Sequence, residues 1–396
     1  MKARYQYRIY PNVLQQQALA RLFGCCQVVW NNALSWVMQT PEEVQWPSNA
    51  QLQQLCITLA KEYPHREWLS EVSNIPLQQS IADLGVAFTN FFEGRARFPR
   101  FKKRSNRQSA RFRKGGFSLQ GNKVYLAKIG TVKAKWSLPL PSEPSSVTVI
   151  KDRQGHYYLS FVVEVAVQSK PAVAPSVGVD LGIHTFAVLS TGKHILPPGY
   201  ERLNRKLRRA RRVLSRRQRG SKRRERARLR VAKLSAKIRN IRRDFLHKLS
   251  TRLVQDYEGV CLEDLNVSGM VRNRVLARAI SEQGWGELRR LCESKAAGYV
   301  DRAVVVIDRW EPTSQYCTDC GYHWGKLDLS IRELRCLGCG RVQDRDDNAS
   351  RNIESVGAGA SPRPKTGQGA SVRPRCGAVS DELSTHLADR LNQSAG

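Results

Sequence analysis

The chain has 396 residues, enough for several domains and an ample core. Its 66 lysines and arginines against 34 acids give a formal net charge of +32, which repels itself in a compact molecule unless a polyanion neutralises it. No apolar run reaches the roughly 18 residues of a spanning helix, and Met1-Lys-Ala-Arg-Tyr-Gln-Tyr7 lacks the apolar stretch of a secretory leader, so the expected setting is cytoplasmic and nucleoid-associated, with nucleic acid rather than membrane as the polyanion.

Residues 3–10 alternate and are rich in aromatics, which predicts an opening strand closed by Pro11. Leu22, Phe23, Cys26, Trp30, Ala33, Leu34 and Val37 recur at helical spacing. So do Leu77, Ile81, Leu84, Phe88, Phe91 and Phe92, with Gly94 as the stop. Both stripes read as packing between helices. Residues 95–114 hold ten Arg or Lys among twenty, interleaved with Phe98, Phe101 and Phe112. Cations suit phosphates and rings suit bases, so Arg97, Arg100, Lys102, Lys103, Arg107 and Arg111 are candidate nucleic-acid contacts. Short strands follow at 123–126, 130–134, 146–150 and 157–165, separated by Pro and Gly turns; with the opening strand they predict a small β-barrel. Residues 167–175 read as a linker.

The apolar run Ser176-Val-Gly-Val-Asp180 ends in a carboxylate, as does Gly259-Val-Cys-Leu-Glu263. Between them, residues 201–243 carry 21 Arg or Lys and only two acids, Glu201 and Glu225. A thin apolar stripe and the Gly220-Ser221 break predict a basic helical hairpin, with Arg208, Arg209, Arg212 and Arg216 as candidate contacts to nucleic acid. Ala303-Val-Val-Val-Ile-Asp308 reads as a further strand of the same sheet. Cys317-x2-Cys320-Gly and Cys336-x2-Cys339-Gly then form two knuckles whose four thiolates predict a closed, structural Zn²⁺ site. The other six cysteines show no ligand spacing; Cys25, Cys26 and Cys261 fall in apolar stretches and read as small core residues. Asp344-Arg-Asp-Asp-Asn-Ala-Ser-Arg-Asn-Ile353 offers three competing acids at a helix start. From Gly357 the chain is rich in Gly, Ala, Ser and Pro without a period, the composition of a disordered tail.

A carboxylate leaving one buried strand, another at the end of a later strand and a third opening a helix is the layout of a ribonuclease-H-type nuclease. Such acids can converge on two divalent ions that stabilise the attacking and leaving oxygens of phosphodiester hydrolysis. Mg²⁺ suits few carboxylates with waters and phosphate oxygens as its remaining ligands. At two of the three positions the residues leave a choice: Glu263 or Asp264, and Asp344, Asp346 or Asp347. His184, just past the first strand, reads as incidental.

The ordered set Val179-Asp-Leu-Gly182, Glu263-Asp-Leu-Asn266, a four-cysteine ribbon and Asp344-Arg-Asp-x-Asn-Ala-x-x-Asn-Ile353 resembles the TnpB (OrfB) family of bacterial insertion sequences, relatives of the type V CRISPR nucleases. Tyr7-Arg-Ile-Tyr-Pro11 and Phe98-Pro-Arg-Phe-Lys102 are similar to the family's opening. The resemblance covers roughly residues 1–355 and selects Asp180, Glu263 and Asp346 as the catalytic, Mg²⁺-binding acids. It implies an α+β multidomain protein. A wedge-like β-barrel takes residues 1–11 and 95–170, and a helical recognition lobe facing the guide–target duplex takes 12–94. A RuvC-like, ribonuclease-H-like domain occupies 171–310 and 341–355, interrupted by the basic insert 201–243 and by a zinc ribbon at 311–340, and a disordered tail takes 356–396. The implied activity is RNA-guided cleavage of double-stranded DNA beside a short flanking motif. The guide RNA comes from the transposon end, and a separate transposase of the same element is a further partner. Two rival readings stand beside it: a strand-transferring DNA transposase with the same metal chemistry, and a nuclease-dead RNA-guided repressor.

Overall fold

A computed structural model describes residues 1–359 apart from Glu42, Asn106, Leu329 and Ser330, so the expected tail lies outside the described residues from 360 onward. Two compact units emerge: Met1–Gln168 with Gly199–Ile241, and Ser169–Pro198 with Arg242 onward.

In the first unit, β1 (Lys2–Ile9) leads into α1 (Val13–Gln39). Asn12 starts that helix: its side chain accepts from the Gln15 amide at 2.8 Å while the Gln15 side chain accepts from the Asn12 amide at 3.1 Å. The stripe from Leu22 to Val37 is buried as expected. A short α2 (Asn49–Gln53) and three irregular helical turns reach Glu71, followed by α3 (Asn74–Phe92). Leu77, Ile81, Leu84 and Phe88 of α3 are buried, but Phe91 is half-buried and Phe92 is 66% exposed. The aromatic stripe therefore leaves the core in its last turn, where Phe91 and Phe92 meet each other and Phe91 meets Phe98 instead.

Strands β2 (Gln108–Arg113), β3 (Phe117–Gln120), β4 (Lys123–Leu126), β5 (Gly130–Lys135), β6 (Ser146–Lys151) and β7 (Tyr157–Glu164) join β1 in one antiparallel sheet ordered β2-β6-β7-β1-β5-β4-β3. β1 pairs with β7 along its whole length, Lys2 opposite Glu164 and Ile9 opposite Tyr157. The barrel expected from the sequence is not closed by hydrogen bonds: among the described residues β2 and β3 form the two edges and no pairing joins them. β2 lies inside the basic segment, and its alternate residues Ala110 and Phe112 point into the core. Phe112 is fully buried and does not offer its ring to bases. Burying such a side chain stabilises by roughly 1.5–3 kcal/mol.

The basic insert is a helical hairpin: α4 (Glu201–Ser215), a turn with Gly220 at φ 84°, and α5 (Lys222–Asp256). Arg224 closes the turn by donating to the carbonyls of Leu214 and Arg217. The second helix does not stop near residue 243 as expected. It continues to Asp256, and its last turns, which belong to the second unit, bury Leu246, Leu249, Leu253 and Val254 in that unit's core.

That unit is built on β8 (Ala174–Leu181), β9 (Ala187–Leu189), β10 (His194–Ile195), β11 (Tyr257–Glu263) and β12 (Ala303–Ile307), ordered β10-β9-β8-β11-β12. β8, β11 and β12 run parallel, while β9 and β10 add an antiparallel edge. Val177, Val179, Val260, Cys261 and Leu262 are all buried, the near-continuous apolar run of strands covered on both faces. After α6 (Val267–Met270) and α7 (Ala277–Gln283), α8 (Trp285–Ala296) adds Trp285, Leu288 and Cys292 to one core. On the other side, Ile353 of α9 (Arg345–Gly357) packs with Cys261 and Ile307. Close approach there needs glycine: a methyl group at Gly178 would lie 1.9 Å from the Ser350 carbonyl oxygen, and one at Gly357 would lie 2.3 Å from Cys261 Sγ. The hairpin β13 (Glu333–Arg335) and β14 (Val342–Asp344) connects the cysteine knuckles to α9.

Candidate metal centres and nucleic-acid interface

The register of the parallel strands decides where the acids go. Val179 is paired with Leu262, so Asp180 and Glu263, the next residue on each strand, leave the sheet side by side. Asp344 caps α9, its carboxylate accepting from the amides of Asp346 at 2.8 Å and Asp347 at 3.1 Å. That cap sets Asp346 in the first helical turn. Asp180, Glu263 and Asp346 together line one cavity of about 760 Å³, with His184, His194, Thr313, Arg332 and Asp344 also on its wall. Burial pushes the Asp180 carboxyl well above its usual range, and the negative charges of Glu263 and Asp346 push it further. Burial raises Glu263 as well, against a hydrogen bond from Thr313. Like charges facing one cavity favour a cation among them; among the described residues, the acids whose ligand atoms lie within 4.8 Å of one another are instead Asp344 and Asp347, together with His194.

The neighbouring acids have other work. Asp264 is gripped by Arg309 and by Arg289, whose Nη1 lies 3.1 Å from Oδ1. The Arg309 hydrogen bond, with Arg289 beside it, holds that carboxyl below the ordinary carboxylate range. Asp347 Oδ1 lies 3.1 Å from His194 Nε2. Asp346 is met by Arg332, whose Nη1 donates to both carboxylate oxygens at 3.2 Å. Arg332, Thr313 and His194 escaped the sequence reading because they come from three separate segments and belong to no spaced motif.

The four ribbon cysteines close on one another. Cys317 Sγ is 3.8 Å from Cys339 Sγ, Cys320 Sγ is 3.5 Å from Cys336 Sγ, and all four sulfurs lie within 4.8 Å. Tetrahedral Zn–S bonds of about 2.3 Å set sulfurs about 3.8 Å apart, so the donor set fits Zn²⁺ in both chemistry and size. Each knuckle is a backbone turn, Gly321 donating to Cys317 O and Gly340 to Cys336 O. Gly321 at φ 71° and Gly340 at φ 75° are left-handed, which is why glycine follows each pair.

Of the cations in residues 95–114, Arg97, Arg100, Lys103 and Arg107 are exposed. Lys102 and Arg111 are not free surface charges. Lys102 Nζ sits 3.7 Å from the Trp30 ring centroid, and burial pulls its ammonium below the usual lysine value. Arg111 pairs with Asp83. Asn31 and Gln27 of α1 hold the Lys102 backbone, which fixes the segment on the helix. Arg208, Arg209, Arg212 and Arg216 are all exposed on α4 or at its end, opposite the buried face of Asn204, Leu207 and Ala210.

Comparison with known proteins places this architecture. Residues 160–274 match the insertion-sequence OrfB family, described as "Probable transposase". Residues 285–353 match "Cas12f1-like, TNB domain", and residues 1–40 match a "Helix-turn-helix domain", although here they form one strand and a single long helix. A protein of Streptomyces pristinaespiralis named "Putative RNA-guided DNA endonuclease" is 42% identical over 371 residues, covering 91% of this chain and 90% of its own. InsQ of Escherichia coli K12, given the same description, is 30% identical over 371 residues, covering 89% and 92%. In structure, the chain is similar to the protein in a cryo-EM Cas12f1–sgRNA–target DNA complex, with TM-score 0.50, 12% identity, and coverage of 89% and 98%. The fold is thus of the α+β multidomain kind found in that complex. The chain belongs to the TnpB (OrfB) family of insertion-sequence proteins.

Proposed function

We propose that this chain is an RNA-guided DNA endonuclease of a transposable element, hydrolysing phosphodiester bonds beside a short flanking motif. The observation that carries the reading is the convergence of Asp180, Glu263 and Asp346 in one cavity. The sheet order, with acids leaving its two central parallel strands and a third acid on the helix packed across them, supports a ribonuclease-H-like, RuvC-type nuclease unit. Three carboxylates in a roomy polar cavity are hard oxygen donors that suit Mg²⁺, which keeps waters and substrate oxygens as its other ligands. Asp180, Glu263 and Asp346 are the residues that would hold such ions, which when bound would supply charge stabilisation to the attacking and leaving oxygens of phosphodiester hydrolysis.

The chain's own residues prepare that site. Asp264 is occupied by Arg289 and Arg309 and Asp347 by His194, whereas Glu263, Asp344 and Asp346 all face the cavity; Asp344 also caps α9, and the family resemblance favours Asp346 as the third acid. The ribbon, with Zn²⁺ on Cys317, Cys320, Cys336 and Cys339, holds the segment that enters the cavity wall at Thr313 and Ser314. The exposed cations of residues 97–107 and of α4 are a surface for phosphates of a guide RNA made from the transposon end and of its DNA target. Delegating sequence to an RNA accounts for so much positive charge without a base-reading motif.

The test is cleavage of a plasmid carrying a sequence matched to the copurifying RNA, with Mg²⁺ and with chelator. Metal-dependent cutting only at the matched site is expected. Integration of donor DNA without RNA would move the transposase reading ahead, and guided binding without cutting would favour the repressor.

A further inference from the structure

Thr313 stands where the ribbon meets the carboxylate cavity, and it is held at both ends. Its hydroxyl donates to Glu263 Oε1 at 2.9 Å, and its own carbonyl accepts from Asn352 Nδ2 at 2.7 Å. Thr313 is 4% exposed and Asn352 is fully buried. Asn352 Nδ2 also donates to the Tyr316 carbonyl at 2.9 Å, one residue before the first zinc-site cysteine. Asn348 donates to the same carbonyl at 2.8 Å and accepts from the Thr318 amide at 2.9 Å. The segment 313–318 is thereby stapled to α9, the helix that bears Asp346.

A glutamate's last torsion is broad and two-fold, so a carboxylate at a strand end has no intrinsic reason to present one oxygen rather than the other. A buried hydroxyl must spend its proton on an acceptor, and here the acceptor is Glu263 Oε1. Valine has nearly the shape of threonine without that proton, so packing alone does not require a hydroxyl at this position. We propose that Thr313 is a positioning residue for the metal-dependent reaction: it sets the rotation of the Glu263 carboxylate, and through it the ordering of the ribbon reaches the carboxylate site. This rests on reading Glu263 as a ligand of the catalytic cation.

The experiment compares Thr313→Val and Thr313→Ser in the full-length RNA complex. Mn²⁺ binding is followed by electron paramagnetic resonance, counting only ions bound beyond those of an Asp180→Ala complex. The Mg²⁺ concentration for half-maximal cleavage is measured in parallel. Thr313→Val is expected to weaken Mn²⁺ binding and to raise the Mg²⁺ requirement by about 10–100-fold, the range for losing an outer-shell partner. Zinc content and RNA binding should stay unchanged, and Thr313→Ser should recover most of the loss. In a Glu263→Gln background the valine change should add nothing further to the Mn²⁺ effect. Should the valine chain shed zinc, Thr313→Ala, which leaves room for a water, takes its place and must still weaken Mn²⁺ binding with zinc retained. Wild-type Mn²⁺ affinity in the zinc-loaded variant, or full additivity with Glu263→Gln, overturns the inference. If Asp180→Ala itself leaves Mn²⁺ binding untouched, the carboxylate-site reading fails and this inference falls with it.

Discussion

Asp346 and Asp347 are sequence neighbours that differ in what they touch: one faces the cavity with Arg332 on it, the other is tied to His194. Asp180→Ala, Glu263→Gln and Asp346→Ala should each lower cleavage by more than about 10²-fold, the least that losing one transition-state charge stabiliser costs. RNA and target binding should change little. Asp347→Ala should keep most of its activity, and a plasmid assay on the four variants checks the order. The local sequence could not choose between Glu263 and Asp264, because the discriminating partners, Arg289 and Arg309, come from α8 and from the residue pair after β12. The surroundings of two candidate cations were hidden for the same reason. Nothing near Lys102 or Arg111 in the chain shows that Trp30 and Asp83 draw them inward. A second expectation follows: alanine at Arg97, Arg100, Lys103 or Arg107 should weaken RNA binding and lower the salt slope by about 0.7–0.9 per residue. Lys102→Ala and Arg111→Ala should instead lower the melting temperature, with a smaller change in salt slope. Binding titrations across salt concentrations, paired with thermal unfolding, separate the two groups.

At the scale of elements, periodicity was legible wherever one face is buried. The stripe of α1 and the alternation of β4 through β7 agree with the structure to within a residue or two. β2 was hidden because its outward residues Arg111 and Arg113 sit in a charge run that dominates the pattern. The length of α5 was hidden because its burial changes character along the sequence, from a partly exposed basic stretch to the buried leucines from Leu246 onward. α9 shows what the motif Asp344-Arg-Asp-x-Asn-Ala-x-x-Asn-Ile353 is for beyond its acid: Asn348 and Asn352 hold the ribbon, and Ile353 enters the core. Gly178→Ala should therefore push α9 off the sheet, costing about 1–3 kcal/mol as overpacking does. A fall in melting temperature checks it, and a variant as stable as the parent would contradict the close approach. Cys320→Ser should release zinc and unfold the ribbon, since structural zinc contributes folding free energy directly. Because Thr313 and Arg332, which flank the first knuckle in the chain, reach Glu263 and Asp346, cleavage should fall with zinc content rather than independently of it. Metal analysis alongside activity in a chelator series tests that link.

For the whole molecule the decisive quantity is the net charge of +32, the excess that remains after the 34 acids have offset their share of the 66 lysines and arginines. Many of the ion pairs are short-range contacts on the surface, worth little individually. An RNA that neutralises the cations of residues 97–107 and of the α4–α5 hairpin is thus expected to govern solubility as well as targeting. Protein stripped of RNA should precipitate at low salt and leave duplex DNA uncut. With RNA restored, cutting should require both guide complementarity and the flanking motif, because the motif is where the duplex is first opened. Pairing then spreads away from that end, so an early mismatch stops the process before much heteroduplex has formed. A mismatch beside the motif should reduce cleavage more than the same mismatch far from it, with binding reduced as well only in the first case. Plasmids bearing single mismatches at each guide position, scored for both binding and cutting, give the profile. A profile that is flat along the guide, or cutting of matched DNA by RNA-free protein, would be incompatible with guided opening and would leave only the metal chemistry standing.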